Sequence, residues 1–186
     1  MTADLVNGID TEQAEGFAQL LLAEPPLADV TVRAHHTWQG AYGIRTQGAG
    51  IVVGGEVLPR AEHSVSSDRP ALFGGGDGGC VPAELLLAAL ASCVGSQLVE
   101  HAAVRGVELT HLGIVTEGRV DLRGTLDVEG VPAALREARL DVEVASSAGD
   151  DVLDELLEVA LRTSPVAATL RPGVTLHASL HHVAAR

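Results

Sequence analysis

The chain has 186 residues, enough for one domain with a sizeable core. Hydrophobic residues make up 46% but aromatics only 2%, so that core must be built from Leu, Val and Ala. A formal net charge of −13 and the absence of lysine exclude the basic surfaces that nucleic acids and anionic membranes reward.

The first residues, MTADLVNGIDTEQAEG, are acidic and lack the basic-then-apolar pattern of a signal peptide. Residues 10–24 read as a short helix capped by Asp10 and Gln13, with an apolar stripe of Phe17, Leu20 and Leu21. Pro25 and Pro26 end it, and residues 1–27 are set apart as an N-terminal helical extension. VTVRAHHTW (30–38) and IRTQGAGIVV (44–53) are strand-like and pair as a hairpin through GAYG (40–43). Residues 54–79 are rich in Gly, Ser, Asp and Pro, and GGGDGG (74–79) reads as a flexible loop. A glycine run before a helix invites a phosphate-binding reading. The chain has no GxxxxGK[ST] pattern, and that reading is set aside.

CVPAELLLAALASC (80–93) holds both cysteines. Pro82 suits a first helical turn, and the Ala- and Leu-rich run behind it forms a helix to about His101, ended by Gly106. Cys80 then precedes the helix and Cys93 lies about three turns into it. At ~1.5 Å of rise per residue they are roughly 15–20 Å apart. A disulfide tolerates about 7 Å between Cα atoms, so the two do not pair within one chain. Unpaired cysteines fit a reducing compartment, and a cytoplasmic protein is expected. The helix is apolar almost all round and must be buried on most sides, partly by a partner subunit in a chain this small. Glu84, Ser92, Gln97 and Glu100 interrupt its apolar run, which speaks against a membrane span.

VELTHLGIVTEGRVDLRG (107–124) reads as a strand bent near Gly113. REARLDVEVAS (136–146) alternates cleanly at Leu140, Val142 and Val144. Residues 150–164 form an amphipathic helix whose apolar face is Leu153, Leu156, Leu157, Ala160 and Leu161, broken at Pro165. GVTLHASLHHV (173–183) is a final strand. This order points to an α+β protein with an antiparallel sheet.

Eight histidines raise the question of a metal. His181 and His182 point to opposite faces of a strand, and His177 is some ~13 Å from His181. With no HExxH and no CxxC, no metal site is expected. Glu100 shares the face of Cys93 two turns on and serves either the same cavity or a rim salt bridge. A lone cysteine on an Ala/Leu helix is, by itself, most often a small buried hydrophobe. Arg45 alone reads as a solvated strand residue, and Ser164-Pro165 as an ordinary helix terminus.

Three stretches in order resemble the OsmC/Ohr superfamily of thiol-dependent organic hydroperoxide reductases. They are TWQGAYGIRTQGAGIV (37–52), VPAELLLAALASC (81–93) and RTSPVAATL (162–170). VTEGRVDLRG (115–124) looks like a less characterised branch. The resemblance spans about residues 30–182, sets an OsmC-like domain at 28–186 and implies an OsmC-like fold. Antiparallel sheets wrap long central helices in an intertwined homodimer, with active sites at the interface. It implies that Cys93 is the peroxidatic cysteine and that an arginine of the hairpin activates it. Arg45 is the candidate and Arg33 the alternative. It calls for no cofactor or metal. Two positions depart from the family pattern. Ser164 stands where two-cysteine members carry the resolving cysteine. Ala83 stands where a glutamate follows the helix proline, and Glu84 lies one residue later, rotated by about 100°. Glu84, Leu86, Leu90 and Glu100 are the candidate pocket residues. The expected partners are a second copy, a small hydroperoxide or apolar ligand, and an external thiol reductant. Neither nucleic acid nor a membrane is expected. The alternative is a non-catalytic member that binds an apolar ligand in the interface pocket.

Overall fold

The structure is a computed structural model, and it describes residues 5–184. Contacts divide the chain into two compact units, Met1–Ala14 with Leu86–Arg186, and Glu15–Leu85. The residues of the N-terminal extension are shared between them.

The first unit opens with a short hairpin, β1 (Leu5–Val6) and β2 (Ile9–Asp10). Its turn is Asn7-Gly8, both at positive φ (54° and 78°), the residue pair that two-residue hairpin turns favour. The Asn7 amide donates to the Val107 carbonyl at 2.9 Å and accepts from the Leu109 N–H at 2.8 Å. One side chain thus ties the hairpin to the start of a strand a hundred residues on. Helix α1 (Thr11–Ala23) follows, and Gln13 N–H donates to Asp10 Oδ1 at 3.0 Å as the capping pattern requires. None of its residues is buried, so Phe17 and Leu20 of the expected apolar stripe lie exposed.

The second unit holds a four-stranded sheet. Strand β3 (Val30–Gly40) pairs antiparallel with β4 (Gly43–Val53) through the 40–43 turn. Short strands β5 (Glu56–Val57) and β6 (Ser64–Ser67) flank β4 on its other edge. The register of β3 against β4 slips between Val32 and Ala34, which puts Arg33 at the irregularity.

Helix α2 (Pro82–Val104) begins at the end of this unit and runs into the first. It is long and apolar enough, by length and composition, to cross a membrane. Within one chain it is not buried on most sides as expected, and a single ridge packs against the core. Leu90, Val94, Leu98 and Ala102, at successive i, i+4 positions, are fully buried. They meet Leu140, Val142 and Val144 of strand β8 (Glu137–Ser146) and Leu153 and Leu156 of helix α3 (Asp150–Thr163) in one core. Strand β7 (Leu109–Arg119) pairs antiparallel with β8. After α3 come a short helix, α4 (Pro165–Leu170), and strand β9 (Thr175–His182).

The α+β class holds, with one departure from an all-antiparallel sheet. Strand β9 pairs with β8 in parallel. The reason is connectivity: α3 and α4 form a crossover that returns the chain to the same end of the sheet, as a parallel pair demands. The strand expected over 107–124 stops at Arg119. Asp121 ends it by accepting from Arg123 at 3.0 and 2.7 Å and from Arg136 at 3.1 Å, which folds residues 120–136 back on themselves. Gly124 is needed there, because a Cβ would overlap the Pro132 carbonyl.

Candidate functional site

The site is built on α2, and both helix ends are fixed by local chemistry. Glu84 reaches back to accept the Val81 N–H at 2.7 Å, the return half of a capping box, with Pro82 in the first turn. At the other end Gly106 adopts φ +67. Its N–H donates to Ala103 and the Val107 N–H to Ala102, the paired bonds of a Schellman ending. Glu84 therefore serves the helix terminus.

Cys93 sits on the flank of the buried ridge and is half-buried with a free thiol. Leu86 and Gln97 share its side of the helix and are also half-buried. One turn beyond Gln97, His101 meets Thr163 at 3.1 Å, next to Ser164. Ser96 donates to the Cys93 carbonyl at 3.1 Å. Glu100 is exposed and takes a long contact from Gln97 at 3.5 Å. Leu90, one of the pocket candidates, is fully buried in the core.

An open apolar groove of about 500 Å³ lies on the other flank of α2. Ala91, Gly95 and Val99 form its floor, with Ser92 and Ser96 beside them. Ile9, Leu112 and Ile114 form its walls. Gly95 is two residues from Cys93, or roughly 200° around the helix. Neither Cys93 nor any of the candidates Glu84, Leu86, Leu90 and Glu100 lines this groove. A Cβ at Gly95 would come within 3.1 Å of Ile114, so a small residue lets α2 approach β7.

Ser164 is fully buried between α3 and α4. Its hydroxyl accepts the Ala167 N–H at 3.2 Å and caps α4. Arg45, on β4, is exposed and donates to Ser64 Oγ of neighbouring β6 at 3.2 Å. Arg45 and Cys93 belong to different units. Arg33 is exposed on β3. Cys80 is exposed just before α2, with a free thiol.

The glycine-rich stretch is an ordered loop, and Asp68 orders it. Its carboxylate accepts from the N–H groups of Arg69 (2.7 Å), Gly76 and Gly78 (both 3.0 Å). These bonds, that from Gly78 foremost, hold the Asp68 carboxyl below its ordinary range against the opposing effect of burial. The Asp68 N–H donates to Cys80 O, and Cys80 N–H to Ser66 O, closing the loop at its base. Gly75 and Gly79 leave no room for a Cβ against the carbonyls of Arg69 and Ser66. The Arg69 guanidinium lies 4.3 Å from the centre of the Tyr42 ring. A side-chain carboxylate thus fills the cradle that a phosphate would need. Sequence reading passed over Asp68, because its partners are backbone groups up to ten residues on. Among the described residues no three His, Cys, Asp or Glu side chains cluster as metal ligands.

The family profile described as OsmC-like protein matches residues 74–179, which include Cys93 and Ser164. No curated protein matches the chain. Solved structures do. An osmotic stress induced and detoxification response protein of Psychrobacter arcticus is 17% identical with a TM-score of 0.64, covering 80% of this chain and 94% of its own. An OsmC like protein of Mycoplasma pneumoniae is 16% identical with a TM-score of 0.63, covering 83% and 97%. An organic hydroperoxide resistance protein OsmC of Legionella pneumophila is 17% identical with a TM-score of 0.59, covering 82% and 97%. At these identities the likeness is one of fold.

Proposed function

For a chain that belongs to the OsmC-like protein family, we propose that Cys93 reduces organic hydroperoxides and is regenerated by an external thiol. The observation that carries this reading is the free, half-exposed Cys93 thiol on the helix within the family match, with no second cysteine after it in the chain. The nucleophile is the thiolate. It attacks the distal peroxide oxygen, the O–O bond breaks, and the alkoxide leaves and takes up a proton. The products are an alcohol and a Cys93 sulfenic acid. An external thiol then attacks the sulfur and releases water, leaving a mixed disulfide. A second external thiol frees Cys93 and departs as the oxidised disulfide. In this reading the Arg45 guanidinium stabilises the thiolate and orients the peroxide, with N–H groups beyond the one given to Ser64. The working form is a homodimer in the cytoplasm and needs no bound cofactor.

A second reading has its own support. The apolar groove beside Gly95 is suited to an apolar ligand, and Glu84 and Arg45 both have other hydrogen-bond partners. In that case the protein is a non-catalytic binder on the same fold.

One equivalent of cumene hydroperoxide, a sulfenic-acid trap and intact-mass analysis separate the two. The enzyme reading expects a single trapped adduct at Cys93 in the wild type and none in Cys93→Ser. An adduct confined to the exposed Cys80, or none, refutes it.

A further inference from the structure

We infer that His182 is a proton-operated clasp. When protonated it ties the end of the last strand to both β8 and the first turn of α3, and when neutral it releases one of them.

The geometry is specific. His182 closes β9. Its Nδ1 lies 2.8 Å from Asp150 Oδ1 and its Nε2 lies 2.8 Å from the Ser146 carbonyl oxygen. A carbonyl and an ionised carboxylate only accept, so each bond needs an N–H from the ring. Imidazolium has both, and neutral imidazole has one. On deprotonation the bare nitrogen faces an oxygen lone pair, and one contact must open.

The Ser146 anchor is itself held. Ser146 ends β8, and its hydroxyl donates to Glu108 O at 2.6 Å and accepts from Ala148 N–H at 3.1 Å. Asp150 opens α3, whose cap residue Gly149 offers no side-chain bond. Asp151 follows it, adding a second negative charge to that turn. Next along β9, Val183 N–H donates to Val144 O at 2.8 Å. His181 faces the opposite side of β9 and pairs across with Glu143, so it does not share the clasp.

The direction of titration agrees. The bond to Asp150 first, and that to Ser146 second, raise the His182 pKa above its usual 6.5, with burial opposing them. The clasp is fully closed below the unfolded value of about 6.5 and is lost as pH rises through the higher folded value. What it releases is the end of an edge strand and an otherwise uncapped helix start.

The test is an NMR titration of the His182 ring in the full chain, with amide exchange at Val183 corrected for intrinsic pH dependence. Asp150→Asn and His182→Gln are the comparisons. The clasp requires a His182 pKa above 6.5 that falls in Asp150→Asn. It also requires Val183 to exchange more slowly than in His182→Gln at low pH, by a margin that narrows as the pH rises. Each unit of pKa elevation corresponds to about tenfold in relative protonation. A His182 pKa at or below 6.5, or Val183 protection equal in wild type and His182→Gln at every pH, overturns it.

Discussion

Ser164 replaces a sulfur with a hydroxyl, and the hydroxyl is already in use. It is fully buried and accepts the Ala167 N–H where α4 begins. The residue cannot exchange disulfides, but it terminates one helix and starts another. Ser164→Ala should therefore cost about 1 kcal/mol of stability, within the ~0.5–2 kcal/mol usual for losing such a cap. Chemical denaturation measures it, and hydroperoxide turnover under excess thiol should be unchanged. An unaltered denaturation midpoint would deny the capping role. Ser164 was legible in the sequence as a helix terminus because Ser-Pro is a short local signal. The Asp10–Gln13 cap was legible for the same reason. Asp68 and His182 were not. Their partners lie on loop backbone or on a helix more than thirty residues away, and no local spacing marks such bonds.

Among the elements, those with strong periodicity came through well. The 40–43 hairpin, α2, β8 and α3 lie within a few residues of where their patterns place them. Elements set by side-chain bonds to distant backbone did not. The 74–79 stretch reads as flexible from its glycines, whereas Asp68 fixes it. The parallel seat of β9 follows from the crossover through α3 and α4, which strand patterning alone cannot express. Asp68→Asn tests the loop. The lost carboxylate should lower the melting temperature at neutral pH. The folded pKa of Asp68 is depressed, so its contribution exists above the unfolded value of about 3.9 and fades as pH falls through the folded one. The gap between wild type and variant should thus close in acid. A gap that persists unchanged in acid would show that the charge is not what holds the loop.

At the scale of the whole molecule, much apolar surface is left uncovered in one chain. Val32 is 74% exposed and Trp38 68% exposed on β3, and Phe17 and Leu22 are exposed on α1. Surface of this kind marks interaction sites. It fits the homodimer proposed above, and sedimentation at micromolar concentration should give twice the 19.2 kDa of one chain. A monomer there would contradict the dimeric active site. The family and the α+β architecture were legible from three motifs in order, while the division of the N-terminal extension between two units was not. Steady-state consumption of cumene hydroperoxide with excess dithiol reads the proposed chemistry at Cys93. Wild type should turn over many equivalents and Cys93→Ser none. Arg45→Ala should lose roughly 10- to 100-fold in kcat/KM, the effect of one charge-assisted hydrogen bond of ~1.5–3 kcal/mol. Consumption by wild type no faster than by Cys93→Ser would rule out peroxidase chemistry at Cys93 and leave the binding reading in its place.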